Sequence, residues 1–112
     1  MQVNHLNQNA AYGAVPNGIP YRKAACIYLQ GGSNVVGSQH YRFHQSLNQF
    51  WSRFRGTNLR PTNRQYSGAL GRALRAAGVP EADVQRALRA ARAQRLQFGF
   101  LDQDFLPRIP GT

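Results

Sequence analysis

Between residues 43 and 54 the apolar side chains fall on one helical stripe: Phe43, Leu47, Phe50, Trp51 and Phe54 recur at i, i+4, i+7, i+8 and i+11. Ser38 precedes the stripe as a candidate N-cap and Gly56 follows it as a stop. The pattern therefore predicts a helix from about residue 39 to Arg55. A second stripe, Tyr66, Leu70, Ala73, Leu74 and Ala77, follows the connector "GTNLRPTN"; Thr62 or Asn63 can cap it and Gly78 closes it. Pro80 suits the first turn of a third helix with Val84, Leu88 and Ala91 inward, ending near Gly99. Glu81 and Asp83 lie at its positive end, Arg92 and Arg95 near its negative end, as the helix dipole favours. Gly68 and Gly71 inside the second helix each cost about 1 kcal/mol relative to alanine, which points to close packing there.

Residues 1–37 show no such period. "GAVPNGIP" reads as turns and "GGSNVVG" as a loop, with a strand expected over Tyr21–Leu29 and short extended segments near Val3 and Val35–Val36. Residues 100–112 carry two prolines and no period. They are expected to pack Phe100, Leu101, Phe105 and Leu106 as an extended strap. Residues 1–112 thus read as a single domain: a loop-rich front, three helices over 38–99, and a tail.

Charge changes this picture most. Thirteen arginines and one lysine face four acids, Glu81, Asp83, Asp102 and Asp104, giving a net charge of +10 and a front free of carboxylates. Such a balance points to a polyanion, nucleic acid first and an acidic protein second. The preference for arginine favours bidentate phosphate contacts. Arg42, Arg53, Arg55, Arg60, Arg64 and Arg72 are the expected phosphate positioners, and Arg86, Arg89, Arg92 and Arg95, spaced by three, wind round the third helix with some simply solvated. Cys26 is the sole cysteine, so no internal disulfide can form; it is expected to be a small buried hydrophobe. No apolar run is long enough to span a membrane, and no secretory signal is evident, so export is expected to depend on something outside this chain.

The chemistry concentrates in the three histidines. His40 and His44 lie one helical turn apart, where two imidazoles can share a divalent ion. Zinc, nickel and manganese suit such donors better than magnesium, which prefers oxygen. Asn4 or a backbone carbonyl can supply a third ligand. His5 is the candidate general base, with an ordinary pKa near 6.5 that lets it accept a proton from water at neutral pH. One of Asn7, Gln8 and Asn9 can orient its ring or contact phosphate. On spacing alone, the histidine pair is equally readable as two rings flanking an apolar stripe.

The segments "VNHLNQNAAY", "GSQHYRFHQSLNQFW", "RPTNRQYSGAL" and "LPRIPG", in that order, resemble the His-Me finger nucleases. The closest group is the HNH/endonuclease VII-like toxin domains at the C-terminal end of Rhs and other polymorphic bacterial toxins. The resemblance implies an α+β, helix-rich fold with a small ββα-metal core and two additional helices. It also implies a divalent-metal-dependent endonuclease acting on DNA, with His5 as base and His40 and His44 as ligands. Asn4 falls where many relatives carry a further histidine. A delivery route as part of a larger secreted toxin, and an acidic immunity protein as partner, are implied as well. Two other readings stand beside it: a metal-independent ribonuclease using the histidines as acid and base, and a non-catalytic nucleic-acid-binding module.

Overall fold

A computed structural model describes residues 2–32 and 34–111. Strand β1 (Gln2–His5) pairs antiparallel with β2 (Cys26–Leu29), setting Val3 opposite Tyr28, Asn4 opposite Ile27 and His5 opposite Cys26. Between the strands lie a short helix α1 (Asn9–Tyr12) and a 3-10 turn over Tyr21–Lys23. Three longer helices follow: α2 (Gln39–Ser52), α3 (Asn63–Ala76) and α4 (Glu81–Gln97). The fold is helix-rich α+β, with α2 packed on α3 and α3 on α4. One cluster of buried side chains joins the elements, from Leu6 and Tyr12 through Phe43, Leu47, Trp51, Tyr66, Leu70, Leu74 and Val84 to Leu106 and Ile109.

The three long helices form where their stripes and caps agree. Ser38 Oγ accepts from Tyr41 N (3.1 Å). Thr62, rather than Asn63, caps α3 in a full capping box: its hydroxyl accepts from Gln65 N (3.2 Å) while Gln65 Oε1 accepts from Thr62 N (2.7 Å). Gly78 closes α3 with φ +78°, and Val79 N reaches back to Leu74 O, a Schellman ending that needs the left-handed residue. A methyl group at Gly71 would stand 3.0 Å from Arg75 Nη1 of its own helix and 3.4 Å from Leu88 Cδ1 of α4, the latter an ordinary contact, and Gly68 is exposed, so close α3–α4 packing does not by itself require either glycine.

The structure corrects several expectations. Helix α2 ends at Ser52 instead of Arg55, because Arg53 N and Phe54 N bond three residues back and tighten the chain toward Gly56. The strand expected over Tyr21–Leu29 begins only at Cys26: Pro20 opens a 3-10 turn ahead of it. Val35 and Val36 form no strand and are exposed. Helix α1 is additional. Cys26 is exposed, since β2 turns alternate residues to a face that nothing covers among the described residues. In the tail, Leu106 is buried and Phe100 packs on the core, whereas Leu101 and Phe105 stay exposed. Arginines moor this tail: Arg60 Nη2 donates to Leu106 O (2.7 Å) and Arg55 Nε to Pro110 O (2.7 Å). No helix among the described residues is long and apolar enough to cross a membrane.

Candidate functional site: a histidine cleft at the end of the first strand

His5, His40 and His44 line one cleft of about 240 Å3, with Val3, Asn4, Gln8, Asn9, Ala10 and Tyr21. The two ends of the site are therefore brought together although they lie far apart in sequence. Helix α2 delivers His40 and His44 from its first turns, next to its Ser38 cap. Strand β1 delivers Asn4 and His5 at its C-terminal end.

The residues just after His5 are fixed to all three long helices. Leu6 N donates to Ala25 O (2.9 Å), and Leu6 O accepts from the Tyr66 hydroxyl (2.5 Å), which in turn accepts from Gln8 N (3.2 Å). Asn7 is buried; its Nδ2 donates to Ala91 O (2.9 Å) and its Oδ1 accepts from Arg95 Nη1 (2.9 Å). Trp51 Nε1 donates to Gln8 Oε1 (2.6 Å). Burial raises the Tyr66 phenol's pKa, so the hydroxyl keeps its proton and donates it to the Leu6 carbonyl. Of the three amides considered as partners for the His5 ring, Asn7 and Gln8 instead anchor this backbone, and Asn9 lines the cleft.

The hydrogen bonds assign protons in the helix pair. His40 Nδ1 lies 3.2 Å from the Gly31 carbonyl, an acceptor, so Nδ1 carries the proton and the Nε2 lone pair faces His44. His44 Nε2 is 2.8 Å from His40 Nε2 and 3.0 Å from Asn4 Oδ1. Two acceptors thus converge on one nitrogen. Either a single N–H on His44 is shared between them, or His44 moves its proton to Nδ1 and three lone pairs meet. Bonds of about 2.0–2.1 Å at right angles separate neighbouring donor atoms by about 2.9 Å, and tetrahedral bonds by about 3.3 Å. The two contacts of His44 Nε2, at 2.8 and 3.0 Å, lie near the right-angle spacing and are also ordinary hydrogen-bond lengths, so His40, His44 and Asn4 are the side chains that could hold a divalent ion. Asn4 Nδ2 is buried without a partner, and among the described residues the contact with His44 is the only hydrogen bond of this side chain. An unsatisfied buried amide N–H of this kind costs about 1–3 kcal/mol.

His5 stands apart from that focus. Among the described residues no three His, Cys, Asp or Glu side chains are close enough to share an ion. Its ring packs against Tyr21, with centroids 4.5 Å apart and planes at 57°. Burial lowers its pKa below the ordinary imidazole value. The same holds for His44, where burial is the larger cause and the neighbouring His40 the smaller. Both rings therefore favour the neutral state that a base or a ligand requires.

The arginines are arranged differently from expectation. None of Arg42, Arg53, Arg55, Arg60, Arg64 and Arg72 lines the cleft. Arg55 and Arg60 moor the tail, and Arg42 Nε reaches Ser38 O at 3.5 Å. Arg53, Arg64 and Arg72 are exposed. Among the described residues none of the six is in a salt bridge; three of the four acids, Glu81, Asp83 and Asp102, pair instead with Arg75, Arg86 and Arg92. Arg95 is fully buried, donating to Asn7 and Ser67 and lying 5.6 Å from the Tyr66 ring centroid. Its place in a run of solvated arginines hid this role. Comparison of the chain with protein-family models, with curated proteins and with solved structures gives no match.

Proposed function

We propose that this domain hydrolyses phosphodiester bonds in nucleic acid, DNA first, with the help of a divalent ion. The observation that carries the reading is the shared cleft: His5 lies beside a second, separate focus of His40, His44 and Asn4 donor atoms. The reading takes β1, β2 and α2 as the core of the site, with α1 and the 3-10 turn inserted between the strands, His5 ending β1 and the paired histidines opening α2. His40, His44 and Asn4 would hold the ion, which supplies charge stabilisation for the phosphorane and the departing oxygen. The asparagine in place of a histidine makes this a weaker ligand set than three imidazoles.

His5, kept neutral by burial, takes the proton of a water aimed at phosphorus. Tyr21 limits the tilt of the ring, and the bonds at Leu6, Asn7 and Gln8 keep its backbone in register with α2. The exposed arginines, outside the cleft, hold the strand by salt-sensitive phosphate contacts. On this reading the domain acts as the toxic end of a larger secreted protein, and its +10 charge suits an acidic immunity protein as well as DNA.

A metal-independent ribonuclease is the second reading, favoured by the direct 2.8 Å contact between His40 and His44 Nε2 atoms. Incubation with plasmid DNA, with single-stranded DNA and with total RNA, each with EDTA and with added zinc, nickel, manganese or magnesium, separates the two. Cleavage that stops in EDTA and returns with one of the ions supports the first. Undiminished RNA cleavage in EDTA establishes the second, and no cleavage of any of the three by wild type leaves only a binding module.

A further inference from the structure

Tyr21 borders the histidine cleft yet is 69 % exposed, against a His5 ring only 4.5 Å away. It begins the 3-10 turn Tyr21–Lys23, in which successive side chains project about 120° apart, and Arg22 and Lys23 are exposed beside it. Among the described residues neither cation forms a salt bridge. The turn is held from both sides. Gln94 of α4 grips it with both amide atoms, Oε1 accepting from Ala25 N (2.8 Å) and Nε2 donating to Lys23 O (2.6 Å). On the other side Ile19 is buried and its N–H donates to Tyr12 O (2.8 Å).

An aromatic face, two cations outside any salt bridge and a backbone fixed in advance form the chemistry of a single-strand platform. We infer that Tyr21 stacks on a nucleobase while Arg22 and Lys23 engage the adjoining phosphates, so that the cleft takes an unpaired nucleotide rather than intact duplex. In a duplex the faces of the bases are covered by their neighbours, and only edges and backbone are open to a side chain. A stacking residue next to the base His5 therefore selects strands whose bases are already free, such as loops, ends and single-stranded segments. This inference deepens the reading above and rests on its assignment of nucleic acid as the substrate.

The test reads binding without turnover. A His44→Ala protein in EDTA is titrated, by fluorescence anisotropy, against labelled oligothymidylate, an abasic strand of equal length and a duplex of equal length. The single strand with bases should bind roughly fivefold to a hundredfold tighter than the abasic one. Adding Tyr21→Ala should abolish that gap without weakening abasic binding, and Tyr21→Phe should preserve it. Arg22→Ala and Lys23→Ala should weaken both single strands alike and reduce the salt dependence. Equal affinity for the abasic and base-bearing strands, or duplex binding as tight as single-strand binding, overturns the inference, even if plasmid or RNA is cleaved by wild type. No binding to any of the three overturns the substrate assignment with it. A missing ion requirement for cleavage touches only the metal reading, because this assay contains no ion.

Discussion

Asn7 ties the strand that carries His5 to α4 through two buried hydrogen bonds, and replacing it with alanine should both destabilise the fold and loosen the site. The bond from Arg95 Nη1 to Asn7 Oδ1 involves a charged donor and contributes about 1.5–3 kcal/mol; the bond from Asn7 Nδ2 to Ala91 O contributes about 1 kcal/mol. Their loss leaves a buried guanidinium with one fewer acceptor, and Arg95 Nε is already unpartnered. Asn7→Ala should therefore lower stability by about 2.5–4 kcal/mol. Against a total of about 5–15 kcal/mol for a domain, the variant remains mostly folded. With a urea slope of about 1.5 kcal/mol per molar, the unfolding midpoint should fall by about 2 M, with the slope itself unchanged. Urea titration followed by tryptophan fluorescence reads this directly, since Trp51 is wholly buried. A midpoint within about 0.3 M of wild type would show that the Asn7–Arg95–Ala91 bridge does not hold the strand, and the positioning of His5 through that bridge would be refuted with it.

Four further outcomes concern His5, His44 and Cys26. His5→Ala should lower the rate of phosphodiester cleavage by about two to four orders of magnitude. In wild type the acid limb of the pH–rate profile should turn below pH 6.5, because the neutral ring is the active form and burial lowers its pKa; a limb turning above 6.5 refutes this. His44 binds its proton less tightly folded than unfolded, so the unfolded chain holds more protons between the lowered folded value and about 6.5. Stability is therefore lost as pH falls through that window, and His44→Gln should flatten the decline in urea midpoint, whereas an identical decline in the variant contradicts the assignment. Finally, Cys26 should react with a maleimide in the native state, slowly near neutral pH because burial of its surroundings raises the thiol pKa; a thiol that reacts only after urea is added would refute its exposure.

Helix α3 was legible because stripe, cap and stop pointed to the same boundaries at Thr62, Gln65 and Gly78, while α2 and α4 were legible from their stripes, with α2 stopping short of Arg55 and α4 starting after Pro80 without a side-chain cap. The placing of His40 and His44 on one helical face followed from spacing alone. Their meeting with Asn4 and His5 depends instead on β1 pairing with β2 across a long loop, which no local pattern encodes. The same holds for Arg95, which sits at a spacing of three from solvated neighbours and is buried only because Asn7 and Ser67 arrive from other elements. Of the strand expected across Tyr21–Leu29 only Cys26–Leu29 forms, because a 3-10 turn opened by Pro20 takes up Tyr21–Lys23. Arg55 and Arg60 were read as phosphate contacts, but carbonyls of the returning tail claim them, a partner invisible to composition.

The proposed function rests on a division of labour inside the cleft, in which His40, His44 and Asn4 would hold an ion and His5 would move a proton. Calorimetric titration of wild type, His5→Ala and His44→Ala with zinc and manganese, beside cleavage assays of the same proteins, tests this most directly. Wild type and His5→Ala should bind one ion with closely similar affinity while only wild type cleaves, and His44→Ala should lose both. Loss of ion binding in His5→Ala, or ion binding untouched in His44→Ala, would contradict it.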